Sequence, residues 1–135
     1  MHLFISHASA NYDVAAEMCE YIEKHGTTCF IAPRDIRSGK EYAEEIINGI
    51  HQADAMVLIM SEQSNKSPHV LREVERAVSR GIPILVYKLE DVELTKSMEY
   101  FLMTHQWIAC ERKKDYSKIL AFIKQKCYNN CIIFI

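Results

Sequence analysis

Glu73 is a carboxylate set inside an apolar pattern. It falls in "SPHVLREVE", residues 67–75, where Val70, Leu71 and Val74, with Val78 beyond, recur at helical spacing. Ser67 can cap such a helix, and Pro68 suits its first position. Arg72 and Arg76 then point to the outer face, while Glu73 lies at the edge of the buried stripe. Glu75 sits on the other edge and reads as structural. One reading of Glu73 is an ion pair with Arg76 or Arg72, worth about 0.2–0.5 kcal/mol. The other is a carboxylate facing a ligand, and the choice depends on where the fold places this helix.

Other chemistries find little support. The five cysteines, Cys19, Cys29, Cys110, Cys127 and Cys131, are odd in number and form no CxxC pair. They read as reduced thiols of a cytoplasmic protein. The six histidines show neither HxxxH nor HExxH spacing, so no metal site is expected. There is no GxGxxG, no GxxxxGK[ST] and no GxSxG, which argues against a dinucleotide fingerprint, a P-loop and a nucleophile elbow. A receiver domain needs acidic residues after its first strand and a phosphoacceptor aspartate on its third. Here those strands end in "SHAS" and "MSEQS".

The elements that must position Glu73 alternate along the chain. "HLFIS" (2–6), "TCFIA" (28–32), "AMVLIM" (55–60), "IPILVYKL" (82–89) and "HQWIA" (105–109) read as strands. Helical patterns follow them at about 12–25, 41–51, 67–80, 94–102 and 115–127, with Gly26 and Gly81 as stops. A polar loop, "PRDIRSGKEY", joins the second strand to the second helix. Five β–α repeats with short connections predict a flavodoxin-like α/β sandwich. Its five-stranded parallel sheet would carry helices on both faces. Ligands of such sheets bind beyond the carboxyl ends of the strands. The helix of Glu73 follows one of those ends.

The totals agree with one domain. The chain has 135 residues, 49% hydrophobic and 25% charged, with net charge −2. That size buries about two-thirds of the unfolded surface without staples. The near-neutral balance points to neither nucleic acid nor an anionic membrane. The locally basic stretch from Glu111 to Lys126 reads as a solvated helix face. No run approaches a membrane span, and "HLFIS" is too short for a signal sequence. Residues 1–127 form the expected domain. Residues 128–135, ending in "CIIFI", are an apolar tail of unassigned role, either an extra strand or the start of a longer chain.

"FISHAS" (4–9) and "CFIAPRDIRSGKEY" (29–42) resemble the first conserved box, the second strand and the BB loop of TIR (Toll/interleukin-1 receptor) domains. "LIMSEQSNKSPHVLREVE" and "HQWI" resemble the family's third strand with its αC helix, and its final strand. The resemblance covers residues 2 to about 126 and is nearest to the bacterial branch. Many members of that branch cleave NAD+ at the nicotinamide–ribose bond. The resemblance therefore implies an NAD+ nucleosidase that gives nicotinamide plus ADP-ribose, or a cyclic or conjugated isomer, in antiphage defence. NAD+ would be the substrate, with no separate cofactor and no metal.

By the same resemblance the catalytic carboxylate is Glu73. Cleavage builds oxocarbenium-like charge on the ribose, which a carboxylate can stabilise or trap, and nicotinamide leaves neutral. The family's usual tryptophan, four residues earlier, is replaced by His69. His69 could shape the pocket, tune Glu73 or weaken stacking. Tyr42 matches a ring on the nicotinamide side, and Phe4, Ser6 and His7 lie where the family's pocket lies. Arg34 and Asp35 could hold pyrophosphate and ribose, or simply shape the BB loop. Ser61 and Asn65 could line the rim or cap a loop. The alternative function is a non-catalytic module that self-associates through the BB loop and helix faces. A downstream effector sensing the product is a further expected partner. A nucleoside-processing transferase is a third class, because it shares the architecture and the glutamate chemistry.

Overall fold

The computed structural model describes residues 1–103 and 115–133, with side chains of the last helix described as far as residue 125. The strands are β1 (His2–Ser6), β2 (Thr28–Phe30), β3 (Ala55–Met60) and β4 (Ile84–Lys88). The helices are α1 (Tyr12–Lys24), α2 (Tyr42–Gln52), α3 (Glu62–Lys66), α4 (Pro68–Ser79), α5 (Lys96–Met103) and α6 (Ser117–Ile133). The four described strands pair in parallel in the order β2-β1-β3-β4. The expected fifth strand, 105–109, lies outside the described residues.

Strand alternation builds two cores, one on each face of the sheet. Leu3 and Ile5 of β1 and Val57 and Ile59 of β3 pack with Met18 and Ile22 of α1 and Ile119 of α6. Phe4, Met56, Leu58 and Met60 face the other way. They pack with Ile46 and Ile50 of α2, Val70, Val74 and Ala77 of α4, and Met98 and Leu102 of α5. Ser6, two residues after Phe4, therefore points into the α2/α4 layer at the carboxyl end of β1. It is fully buried.

Three details differ from expectation. The stretch after β3 holds an extra short helix, α3, because Ser61 and Ser64 form a capping box that nucleates a turn. β2 is shorter than the "TCFIA" pattern. Asp35 takes the Ile31 N–H on its carboxylate, which diverts the chain from the strand ladder. Finally, α6 continues to Ile133, so the backbone over 128–133 is helical and forms no extra strand. Among the described residues no helix is long and apolar enough to cross a membrane.

Candidate active site

α4 is held in place before it presents anything. Ser67 Oγ accepts the Val70 N–H at 3.3 Å, and Pro68 occupies the first turn. Val70, Val74 and Ala77 are buried to 1% exposure or less. Each valine contributes about 1.5–3 kcal/mol on burial. That anchorage lets the helix carry Glu73 in a half-buried position over the end of β1. Ser6 Oγ donates to Glu73 Oε1 at 2.7 Å. No ion pair joins Glu73 to Arg72 or Arg76 among the described residues. Burial pushes the Glu73 carboxyl up to about 7, against the opposing pull of the Ser6 hydrogen bond.

Two clefts meet at this carboxylate. One, of about 490 Å³, opens beyond β1 and is lined by Phe4, His7, Tyr12, Pro33 and Ser67, among others. The second, of about 520 Å³, runs between α2 and α4 over Ile46, Ile47 and Ile50, with Arg72, Glu75 and Arg76 on its wall. Tyr42, His69 and Glu73 border both. Tyr42 is 54% exposed, so its ring is a wall of the clefts rather than part of the core. Its hydroxyl is raised above the ordinary range first by burial and then by the negative charge of Glu73.

The structure brings together Phe4, Ser6, His7, Tyr42, His69 and Glu73. Phe4 is buried and stacks on Phe30 with centroids 5.4 Å apart, so it supports the floor of the first cleft. His7 bridges the end of β1 to the start of the BB loop. Its Nδ1 lies 2.8 Å from the Ala8 carbonyl and its Nε2 2.9 Å from that of Ala32. His69 is exposed and stands one turn before Glu73.

Arg34 and Asp35 line neither cleft. Arg34 donates to Glu23 of α1 at 2.6 Å, to Asp35 at 2.8 Å and to the Cys29 carbonyl at 3.0 Å. These contacts brace the loop and occupy the guanidinium. Ser61 is buried against Asn11 and caps α3, and Asn65 holds Glu93 and Thr95. Both residues sit outside the clefts.

Tyr12, at the start of α1, was not singled out from the sequence, and only the fold brings it to the end of β1. Sequence reasoning also read Arg72 and Arg76 as outward-facing. They lie on the cleft wall because α2 packs alongside α4. Among the described residues no group of three or more His, Cys, Asp or Glu side chains is arranged to hold a metal.

Comparison with known proteins agrees with this architecture. The TIR domain family model matches residues 3–121. The TIR domain of the Toll-related receptor TRR-2 from Hydra magnipapillata superposes with a TM-score of 0.70 at 19% identity, covering 94% of this chain and 95% of that one. A TIR-STING receptor from C. gigas, in complex with 2',3'-cGAMP, gives 0.68 at 21% identity, over 88% of this chain and 38% of that one. The CMP N-glycosidase of Clostridium botulinum gives 0.64 at 15% identity, over 90% and 99%. Among curated proteins no sequence matches. At such identities the superpositions speak for the fold, and the family rests on the match over residues 3–121: the chain belongs to the TIR domain family.

Proposed function

We propose that this domain cleaves the N-glycosidic bond of NAD+, with Glu73 as the catalytic carboxylate. The observation that carries the reading is the state of Glu73. It is half-buried where two clefts meet, it accepts a hydrogen bond from Ser6, and it has no cation partner among the described residues. A carboxylate partly withdrawn from water with no cation beside it is costly, and such groups concentrate at functional sites. The missing positive charge would arrive with the reaction. As the C1′–N1 bond breaks, its electron pair passes to the pyridinium nitrogen, and nicotinamide leaves neutral. The ribose becomes oxocarbenium-like. A carboxylate about 4 Å from that charge, at an effective dielectric of about 20, is worth about 4 kcal/mol, or about three orders of magnitude in rate.

Water completing the reaction adds its oxygen to C1′ and gives its proton to the Glu73 carboxylate, yielding ADP-ribose. An internal nucleophile of the substrate at the same carbon would give a cyclic isomer instead. Tyr42 and His69 flank the carboxylate and suit a flat leaving group. His7 holds the loop against β1 and acts as a positioning residue.

The test is nicotinamide release from NAD+ at high protein concentration, with CMP supplied separately because a protein of this fold acts on it. Products are resolved by chromatography and mass. The parent should release nicotinamide, Glu73→Ala should lose at least about 99% of the rate, and Glu20→Ala, altered on the exposed face of α1, should match the parent. A parent inert toward NAD+ would leave the interaction-module reading in its place. Release of cytosine alone would make the domain a nucleotide glycosidase of different specificity.

A further inference from the structure

The two clefts that meet at Glu73 differ in charge. The cleft beyond β1 has aromatic and small walls and contains neither lysine nor arginine. Its one imidazole beside the shared His69 is His7, with both ring nitrogens set against backbone carbonyls. The cleft between α2 and α4 carries Arg72 and Arg76 above an isoleucine floor. Neither arginine has an ion-pair or hydrogen-bond partner among the described residues, and both side chains are exposed. Glu75 on the same wall offsets one of the two charges.

A pyridinium dinucleotide has matching asymmetry. Its nicotinamide ring is cationic, and its diphosphate carries two negative charges one ribose away. With the scissile carbon at Glu73, the ring fits the cleft that holds a carboxylate and neither lysine nor arginine. The diphosphate then falls on the side of the arginines. We propose that Arg72 and Arg76 form a diphosphate subsite, so that the dinucleotide lies across Glu73 from the β1 cleft into the α2–α4 cleft. This rests on the NAD+-cleaving reading and adds the orientation of the substrate.

The spacing suits the task. Arg72 and Arg76 are one helical turn apart, about 6 Å along the axis. Two guanidinium forks at that separation can take oxygens of successive phosphoryl groups, each as a planar double donor. The isoleucine floor beneath them offers apolar surface to the adenosine end. Arg34, the guanidinium that the BB loop would otherwise supply, is committed to Glu23, Asp35 and the Cys29 carbonyl.

The experiment compares the parent with an Arg72→Gln/Arg76→Gln double variant. Glutamine keeps helix propensity, so α4 should persist, and circular dichroism checks it. Calorimetry measures ADP-ribose and nicotinamide binding, which needs no turnover. ADP-ribose Kd should rise about tenfold or more, and nicotinamide Kd should not change. In turnover, KM for NAD+ should rise likewise, while nicotinamide riboside, which lacks phosphate, is cleaved with unchanged KM. An unchanged ADP-ribose Kd, or equal losses for ADP-ribose and nicotinamide, overturns the subsite. A parent that binds ADP-ribose through the arginines yet turns over neither substrate overturns the catalytic reading alone.

Discussion

At the scale of single residues, the energetic cost of Glu73 governs the site. Its folded-state carboxyl titrates at about 7, above the ordinary value of 4.5, because burial disfavours the charge. A raised carboxyl favours the fold at low pH and weakens it as pH climbs through 7, where the native state must hold the anion. Glu73→Gln keeps an acceptor for Ser6 and removes only the charge. It should therefore stabilise the protein by about 1–3 kcal/mol at pH 8.5 and by almost nothing at pH 4. Denaturant unfolding at the two pH values checks this. Equal effects at both would mean that the carboxylate is better solvated than its burial suggests. Tyr42, which borders both clefts with Glu73, responds to the same charge: its hydroxyl is raised by burial first and by the Glu73 carboxylate second.

At the scale of elements, packing around β1 and β2 fixes the cleft floor. Gly49 of α2 lies directly on Phe30, where an added Cβ would stand 3.0 Å from the ring. Phe30 in turn stacks on Phe4. Alanine in a helix interior normally gains about 1 kcal/mol over glycine. Here the gain should be cancelled or reversed, with Gly49→Ala no more stable than the parent in thermal unfolding. A gain of the full amount would show that the Phe30 ring moves freely. The elements themselves were largely legible in the sequence. The 3.6-residue stripe in 67–78 placed α4, and continuous apolar runs placed β3 and β4, because burial on both sheet faces leaves no alternation to misread. Short-range polar chemistry was less legible. The Ser61–Ser64 capping box made a helix where a loop was expected, and the Arg34 brace placed a candidate ligand residue outside the clefts. Arg72 and Arg76 are exposed, as the stripe implied, but one helix viewed alone cannot show that α2 runs beside it and makes them a cleft wall.

At the scale of the whole molecule, the site sits where the fold class predicts a ligand. Connections from β1 lead outward to β2 on one side, and β3 lies on the other. The sheet therefore has its crevice at the carboxyl ends of β1 and β3. Ser6 closes β1 there, and α4 carries Glu73 above it. Net charge of −2 gives no general attraction for an anionic dinucleotide, so recognition falls to local groups. The central claim is that the negative charge of Glu73, rather than its shape, lowers the barrier to glycosidic cleavage. The most direct test is the pH dependence of kcat/KM for NAD+ in the parent and in Glu73→Gln. The parent rate should rise through an apparent pKa of about 7 to a plateau. The variant should give a flat profile, about two to three orders of magnitude lower at the plateau. A Glu73→Gln rate within a few fold of the parent, with the same pH dependence, would contradict the claim.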